Sequence, residues 1–155
     1  MATSYEDKIK QQAEQYLEPG EHVQAAFITQ PRGATMAKVG GGIPGAIGSR
    51  KTHNESRAAD GAGLQLANPM ALAITESRLV VLSVSAPLAF GKGGDVKGFV
   101  SAVPLSEVES IEVKRLLVGK TVNLSVHGTS FKLEANATAN AKGLAEAFAR
   151  AKATV

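Results

Sequence analysis

The residues best suited to chemistry lie in one glycine-rich stretch, residues 33–68. Four of its cations, Lys38, Arg50, Lys51 and Arg57, form the densest positively charged group in the chain. A group of Lys and Arg side chains attracts phosphate groups and anionic lipid headgroups. We therefore treat these four as candidate anion-binding residues, the alternative being a solvated loop face with no ligand.

The same stretch contains a glycine motif that is typical of nucleotide-binding turns. Gly40, Gly42 and Gly45 have the spacing that lets backbone amides approach a pyrophosphate closely. A hydrophobic strand normally precedes such a motif and a helix follows it, whereas Pro44 interrupts this one and neither flanking pattern is present. A nucleotide-binding or phosphate-binding protein, or an enzyme using this loop, is therefore the alternative function.

Residue types that carry catalysis are sparse. The chain has no cysteine, so thiolate chemistry, disulfides and thiolate zinc sites are excluded. His22, His53 and His127 are isolated from one another, and no G-x-S-x-G turn presents a nucleophile. We therefore predict a non-catalytic protein with no metal site and no cofactor.

Size and composition indicate one globular domain. The 155 residues are 44% hydrophobic and 20% charged, which is enough apolar material for a single core. Aromatic residues make up 5% and the net charge is +3, both low for a surface that stacks or neutralises nucleic acid. We predict no specific nucleic-acid partner.

The first residues and the missing cysteines favour the cytoplasm. Residues 1–10 include Glu6 and Asp7 and lack the apolar run of a signal peptide. No window of the sequence approaches the length of apolar chain that spans a bilayer. A reducing compartment is consistent with a chain that cannot form disulfides.

Hydrophobic periodicity predicts the elements on either side of the glycine-rich stretch. A helix over 4–17 and a strand over 22–29 are expected before it, and a hairpin of residues 71–74 and 79–84 after it. The N-terminal helix is expected to cover a sheet edge. Residues 33–68 have no sustained period and no folding rationale of their own, so we expect function to lie there.

The last third of the chain has the clearest pattern. A run at 98–103 is followed by alternating segments around Ile111, over 122–126 and over 131–134, each typical of a half-buried antiparallel strand. Apolar residues then recur at helical spacing over 138–152.

These elements together predict an α+β fold with about six or seven antiparallel strands and a closing C-terminal helix. The helix is expected to bury Leu144 and Phe148 against the last three strands. The strand positions expected to receive these two side chains are Ile111, Val113, Val122, Leu124, Phe131 and Leu133.

Three short phrases resemble bacterial pleckstrin-homology-like (PH-like) domains. Leu17 to Glu21 is similar to an L-x-P-G-E sequence before the first strand, Thr75 to Val81 to a T-x-x-R-L turn and strand, and Val103 to Val113 to an I-P-L-x-[DE]-I stretch. The chain also resembles small actinobacterial proteins. The resemblance covers about residues 17–30 and 70–150.

The resemblance implies a strongly bent antiparallel sheet, or partly open barrel, with a C-terminal capping helix, here with an added N-terminal helix. Members bind phosphoinositides, peptides or one another, and some form rings, so it implies a binding or scaffolding module, with an unknown protein partner or self-association. Lipid-binding members hold phosphates beside the connection of their first two strands. Here that position is occupied by residues 33–68, in which Lys38, Arg50 and Lys51 lack the final Arg of the lipid-binding pattern.

Overall fold

The computed structural model describes residues 5–31, 57, 59, 63–67, 69–86, 93–115, 119–135 and 141–153. Within these ranges the chain forms two long helices and seven strands. Their bounds are α1 Tyr5–Ala13, β1 Ala25–Pro31, β2 Met70–Ile74, β3 Arg78–Val84, β4 Val96–Pro104, β5 Val108–Arg115, β6 Lys120–Val126, β7 Thr129–Ala135 and α2 Ala141–Ala153. Short 3₁₀ turns occupy Glu14–Tyr16 and Leu105–Glu107. In the part of the chain so described, no helix is long and apolar enough to cross a membrane.

All strand pairs are antiparallel, and the order across the sheet is β4-β3-β2-β1-β7-β6-β5. Among the described residues the sheet is not closed, and β4 and β5 form its two edges. The predicted α+β class, antiparallel pairing, N-terminal helix and C-terminal helix are confirmed. The first strand begins at Ala25 instead of the predicted residue 22, after Gln24 donates its backbone N–H to the Ile74 carbonyl over 2.7 Å.

The two edge strands are consecutive in the chain, which constrains the shape of the sheet. Only the turn Leu105–Glu107 separates the end of β4 from the start of β5. Three residues span about 10 Å at most, far less than the width of seven strands laid flat. The sheet therefore bends until its edges approach each other at this corner, where Leu105 and Val108 are buried.

The concave face of the bent sheet holds the main core. Helix α2 lies across this face and contacts β1, β2 and β5. Leu144 is fully buried and Phe148 is 8% exposed, and both belong to the cluster that contains every predicted strand position except Val113, which packs against it half-buried. The predicted placement of α2 in the core is thus confirmed.

The opposite face of β1–β4 holds a second apolar cluster. Ile9 and Ala13 of α1 are fully buried there against small and branched side chains of the strands. Those strand residues are Ala26, Ala71, Ala73, Val80, Leu82 and Val84. The helix α1 therefore covers mainly a face of the sheet, and it reaches the edge strand β4 only at its start, where Gln12 accepts the Val96 N–H. Because β2 and β3 carry apolar side chains on both faces, their second face must also be covered, and α1 covers it.

Polar contacts fix α1 to the segment that leads into β4. Lys8 donates to the Gly93 carbonyl over 2.7 Å, and its Nζ lies 3.7 Å from an Asp95 carboxylate oxygen. Gln12 donates to the Asp95 carboxylate over 3.2 Å and accepts the Val96 N–H over 2.7 Å. These contacts orient α1 over the apolar face beneath it.

Candidate functional site

The predicted anion-binding residues fall mostly outside the described part of the chain. Lys38, Arg50 and Lys51 lie outside it, as does the glycine motif of residues 40–45. Arg57 is described, and it is exposed to solvent. The structure therefore does not show whether the four cations come together.

The C-terminal part of the 33–68 segment is built into the core. Ala59 and Leu64 are both fully buried in the main cluster, and the Leu64 N–H donates to the Ala59 carbonyl over 2.9 Å. Ser101 of β4 accepts from the Gln65 N–H over 3.0 Å and donates to the Gln65 carbonyl over 2.9 Å. The expectation that the whole segment lacks a folding role is wrong here, because its glycines obscured two core positions.

A polar network joins two of the phrases that carried the family resemblance. Arg78 donates two hydrogen bonds to the Glu21 carboxylate, from Nε to Oε2 over 2.9 Å and from an Nη to Oε1 over 2.7 Å. Thr75 donates its hydroxyl to Oε2 of the same carboxylate over 2.7 Å. Two-point Arg to carboxylate contacts are strong and directional. Residues from before β1 and from the β2–β3 turn are thereby held together; we call this the Glu21 network.

Further hydrogen bonds connect the Glu21 network to the backbone on both sides. The Glu18 N–H donates to the Glu21 carboxylate over 3.1 Å, and the Ser77 hydroxyl donates to it over 3.4 Å. The Thr75 hydroxyl oxygen also accepts the N–H of Ser77 over 3.3 Å and of Arg78 over 3.1 Å. One buried hydroxyl therefore shapes the tight turn and supports the carboxylate.

The electrostatics of the Glu21 network follow from these contacts. The Glu21 side chain is only 5% exposed and that of Arg78 is 21% exposed. The Arg78 hydrogen bonds, opposed by burial and supported by Thr75, lower the pKa of Glu21 from 4.5 to about 2. The same hydrogen bonds raise the pKa of Arg78 above its ordinary value. Both side chains are charged at neutral pH.

Such a carboxylate is poorly suited to proton transfer. A general base works best with a pKa near the operating pH and with a free lone pair aimed at substrate. Glu21 has a pKa of about 2 and accepts from donors on four residues. The Glu21 network is therefore structural, and it also places the Arg78 guanidinium 5.8 Å from the ring centre of Phe99, which is 43% exposed.

No role was predicted for Glu21, Thr75 or Arg78, although the phrases that contain them were recognised. The signal available in the sequence was the residue types themselves. Glu21 directly follows Pro19-Gly20, and Thr75 and Arg78 flank a short turn. Opposite charges in two such turns can pair, but the pairing itself depends on the sheet. Within the described ranges, no group of three His, Asp or Glu side chains is placed to hold a metal ion.

Comparisons with known proteins add no identification. The sequence matches no family model, and no curated protein matches it.

Proposed function

We propose that this chain is a non-catalytic binding module of PH-like architecture that contacts anionic surfaces through residues 33–68. Lys38, Arg50, Lys51 and Arg57 supply the positive charge, and the rest of the domain supports the segment that carries them. Phosphate or carboxylate groups on a membrane or a protein partner are the chemistry that these cations attract. No cofactor and no specific nucleic acid are needed for this function.

The strand order supports the architecture. Seven antiparallel strands bend until the β4–β5 turn joins the two edges, and a C-terminal helix lies in the concave face. These features support the proposed PH-like architecture. Residues 33–68 connect β1 to β2, two neighbouring strands at the middle of the sheet, and lipid-binding members of the resembled family hold phosphates beside that connection.

The observation that carries the proposal is the position of Arg57. It is exposed, and two residues later Ala59 is fully buried in the main core. A cation next to a fixed core residue stays at the domain surface, so less freedom is lost when it contacts a ligand.

Binding to vesicles tests the proposal. We expect the protein to co-sediment with vesicles that contain phosphatidylserine and to stay in solution with pure phosphatidylcholine. Charge contacts at a surface are screened within about 8 Å at physiological salt, so binding should fall steeply as salt rises. The triple variant Arg50→Gln, Lys51→Gln, Arg57→Gln should lose most of the remaining binding.

A charge-matched variant is the control. Lys132, Lys142 and Arg150 are exposed on β7 and α2, and changing all three to Gln removes the same charge from the body of the domain. Equal losses in the two triple variants would show that net charge alone drives binding and would contradict the proposal. A rise in melting temperature with ATP, absent in a Gly42→Ala, Gly45→Ala variant, would favour the nucleotide-binding alternative.

A further inference from the structure

We infer that the outer edge of β5 pairs with β5 of a second copy, antiparallel and centred on Val113. This inference is independent of the anion-binding proposal, because the residues that carry it lie on β5, outside residues 33–68. The partner is another molecule of the same chain, and the contact extends the sheet across the two copies.

The two edges of the sheet differ in how well they can accept another strand. β4 has two register shifts against β3 and ends in Pro104. Irregularities and proline are devices by which edge strands avoid pairing. β5 has one register shift, at its start, and then pairs regularly with β6 from Ser110 to Arg115. Its second half is thus a regular template.

The side chains of β5 alternate between the two faces of the sheet. Ile111 is buried in the main core and Val113 packs half-buried against it. Glu112 and Lys114 are exposed on the outer face. In an antiparallel pair, residues directly opposite each other project from the same face. Any strand added to β5 therefore meets Glu112 and Lys114 on one side and Val113 on the other.

Symmetry restricts how two copies of β5 can pair. When two identical strands pair antiparallel about a two-fold axis, one residue must face its own copy. If any other alignment were used, the axis would map an outer-face residue onto an inner-face one. The pairing must therefore be centred on a single residue of the regular stretch, and the centre decides which side chains meet.

Charge selects Val113 as the centre, because it is the one alignment that sets Glu112 of each copy opposite Lys114 of the other. A pairing centred on Glu112 sets two carboxylates against each other, and one centred on Lys114 sets two ammonium groups together. With Val113 at the centre, Glu112 of each copy lies opposite Lys114 of the other, which gives two opposite-charge pairs on the outer face. Opposite charges across a strand pair stabilise it and like charges destabilise it. The order Glu-Val-Lys is therefore complementary to itself.

The contact is small, so the association is weak and depends on concentration. Pairing one short strand buries less than the roughly 1,200 Å² of a stable protein interface. We therefore expect a monomer to dimer equilibrium that becomes visible in analytical ultracentrifugation between about 10 µM and about 1 mM protein. Salt should weaken it, because the two charge pairs are exposed.

Charge reversal gives a sharp test. Glu112→Lys and Lys114→Glu, each alone, turn both attractive pairs into repulsive ones, and each should weaken dimerisation about tenfold. The double variant Glu112→Lys, Lys114→Glu should dimerise like the wild type. An equal mixture of the two single variants should also dimerise, since each then meets the opposite charges on the other.

Reversals on α2 serve as the control. Lys142→Glu and Glu146→Lys change exposed residues of α2 and leave β5 itself unaltered, so neither should alter the equilibrium. Circular dichroism melts confirm that each variant is folded. A protein that stays monomeric to about 1 mM, a dimer that tolerates both single reversals, or a double variant that fails to recover would each overturn the inference.

Discussion

The two halves of the sheet, β1–β4 and β5–β7, differ in the side chains on their outer faces. The outer face of β1–β4 is lined by alanine, valine and leucine and is covered by α1. The outer face of β5–β7 carries polar and charged side chains. For example, Glu112 on β5 lies opposite Asn123 on β6, which lies opposite Lys132 on β7. One half is therefore buried on both sides and the other on one side only.

This difference shows which residues serve the fold and which are open to partners. In β2 every residue from Met70 to Ile74 is buried, so its sequence shows no alternation. In β6 burial alternates strictly from Val122 to Val126. Among the described residues no apolar layer covers the outer face of β5–β7, so a change to its charges leaves the core intact.

The inner core, shared by both halves, should show the largest effect. Phe148 is 8% exposed and belongs to the main cluster under the sheet. We expect Phe148→Ala to lower the free energy of unfolding by about 3 to 5 kcal/mol, since it removes a large buried ring. Urea unfolding measures this, and a loss below about 1 kcal/mol would mean that α2 does not close the core.

The covered outer face comes next. Leu82 is fully buried beneath α1, and we expect Leu82→Ala to cost about 2 to 4 kcal/mol. Ser130 is exposed on the outer face of β7, and Ser130→Ala should change stability by less than about 0.5 kcal/mol. Similar losses at the two positions, measured by urea unfolding, would remove the distinction between the halves.

The Glu21 network should contribute stability that depends on pH. The folded pKa of Glu21, about 2, lies below the ordinary 4.5, so its contribution is complete above pH 4.5 and is lost as pH falls toward 2. We expect Glu21→Gln to cost about 2 to 3 kcal/mol at pH 7, because the partly buried Arg78 loses its countercharge.

Urea unfolding of both proteins from pH 7 to pH 2 measures the difference. The gap between wild type and Glu21→Gln should narrow below pH 4.5. A gap that stays constant over this range would show that the carboxylate charge does not stabilise the network.

The contact of α1 with the β3–β4 connection should give the smallest effect. Gly94 has φ of +66°, and a Cβ there would lie 2.8 Å from the Tyr5 ring and 2.9 Å from Ile28. We expect Gly94→Ala to cost about 2 kcal/mol through strain and crowding together. Gly63 has φ of +88° with no atom within 4 Å of a built Cβ, so Gly63→Ala isolates the backbone part.

The two variants should therefore differ in thermal unfolding. We expect Gly63→Ala to lose about 1 kcal/mol, less than Gly94→Ala. Equal losses would mean that α1 yields to the added methyl group and does not press on Gly94.

Local pattern was sufficient where one face of an element is buried. The strands around Ile111, over 122–126 and over 131–134, and the helix carrying Leu144, were all predicted because apolar residues recur at the period of the element. Their bounds shifted by a few residues, since hydrogen bonding extends strands past the last buried side chain.

Contacts distant in sequence could not be predicted in the same way. Glu21 and Arg78 are 57 residues apart, and only the pairing of β1 with β2 and of β2 with β3 brings them together. Ala59 and Leu64 were missed because they stand among glycines, where no period marks a core position. A shared site for the cations of residues 33–68 likewise depends on contacts between residues distant in sequence, which periodicity does not predict.

One measurement tests most directly whether the body of the domain is a scaffold and the segment carries binding. Residues 36–56 are replaced by a Gly-Ser linker of equal length, which spares Arg57, Ala59 and Leu64, and the variant is compared with wild type in melting and in co-sedimentation with phosphatidylserine vesicles. We predict a melting temperature within about 4 °C of wild type, equivalent to about 1 kcal/mol or less, together with loss of vesicle binding. A folded variant that binds as well as wild type would contradict the account.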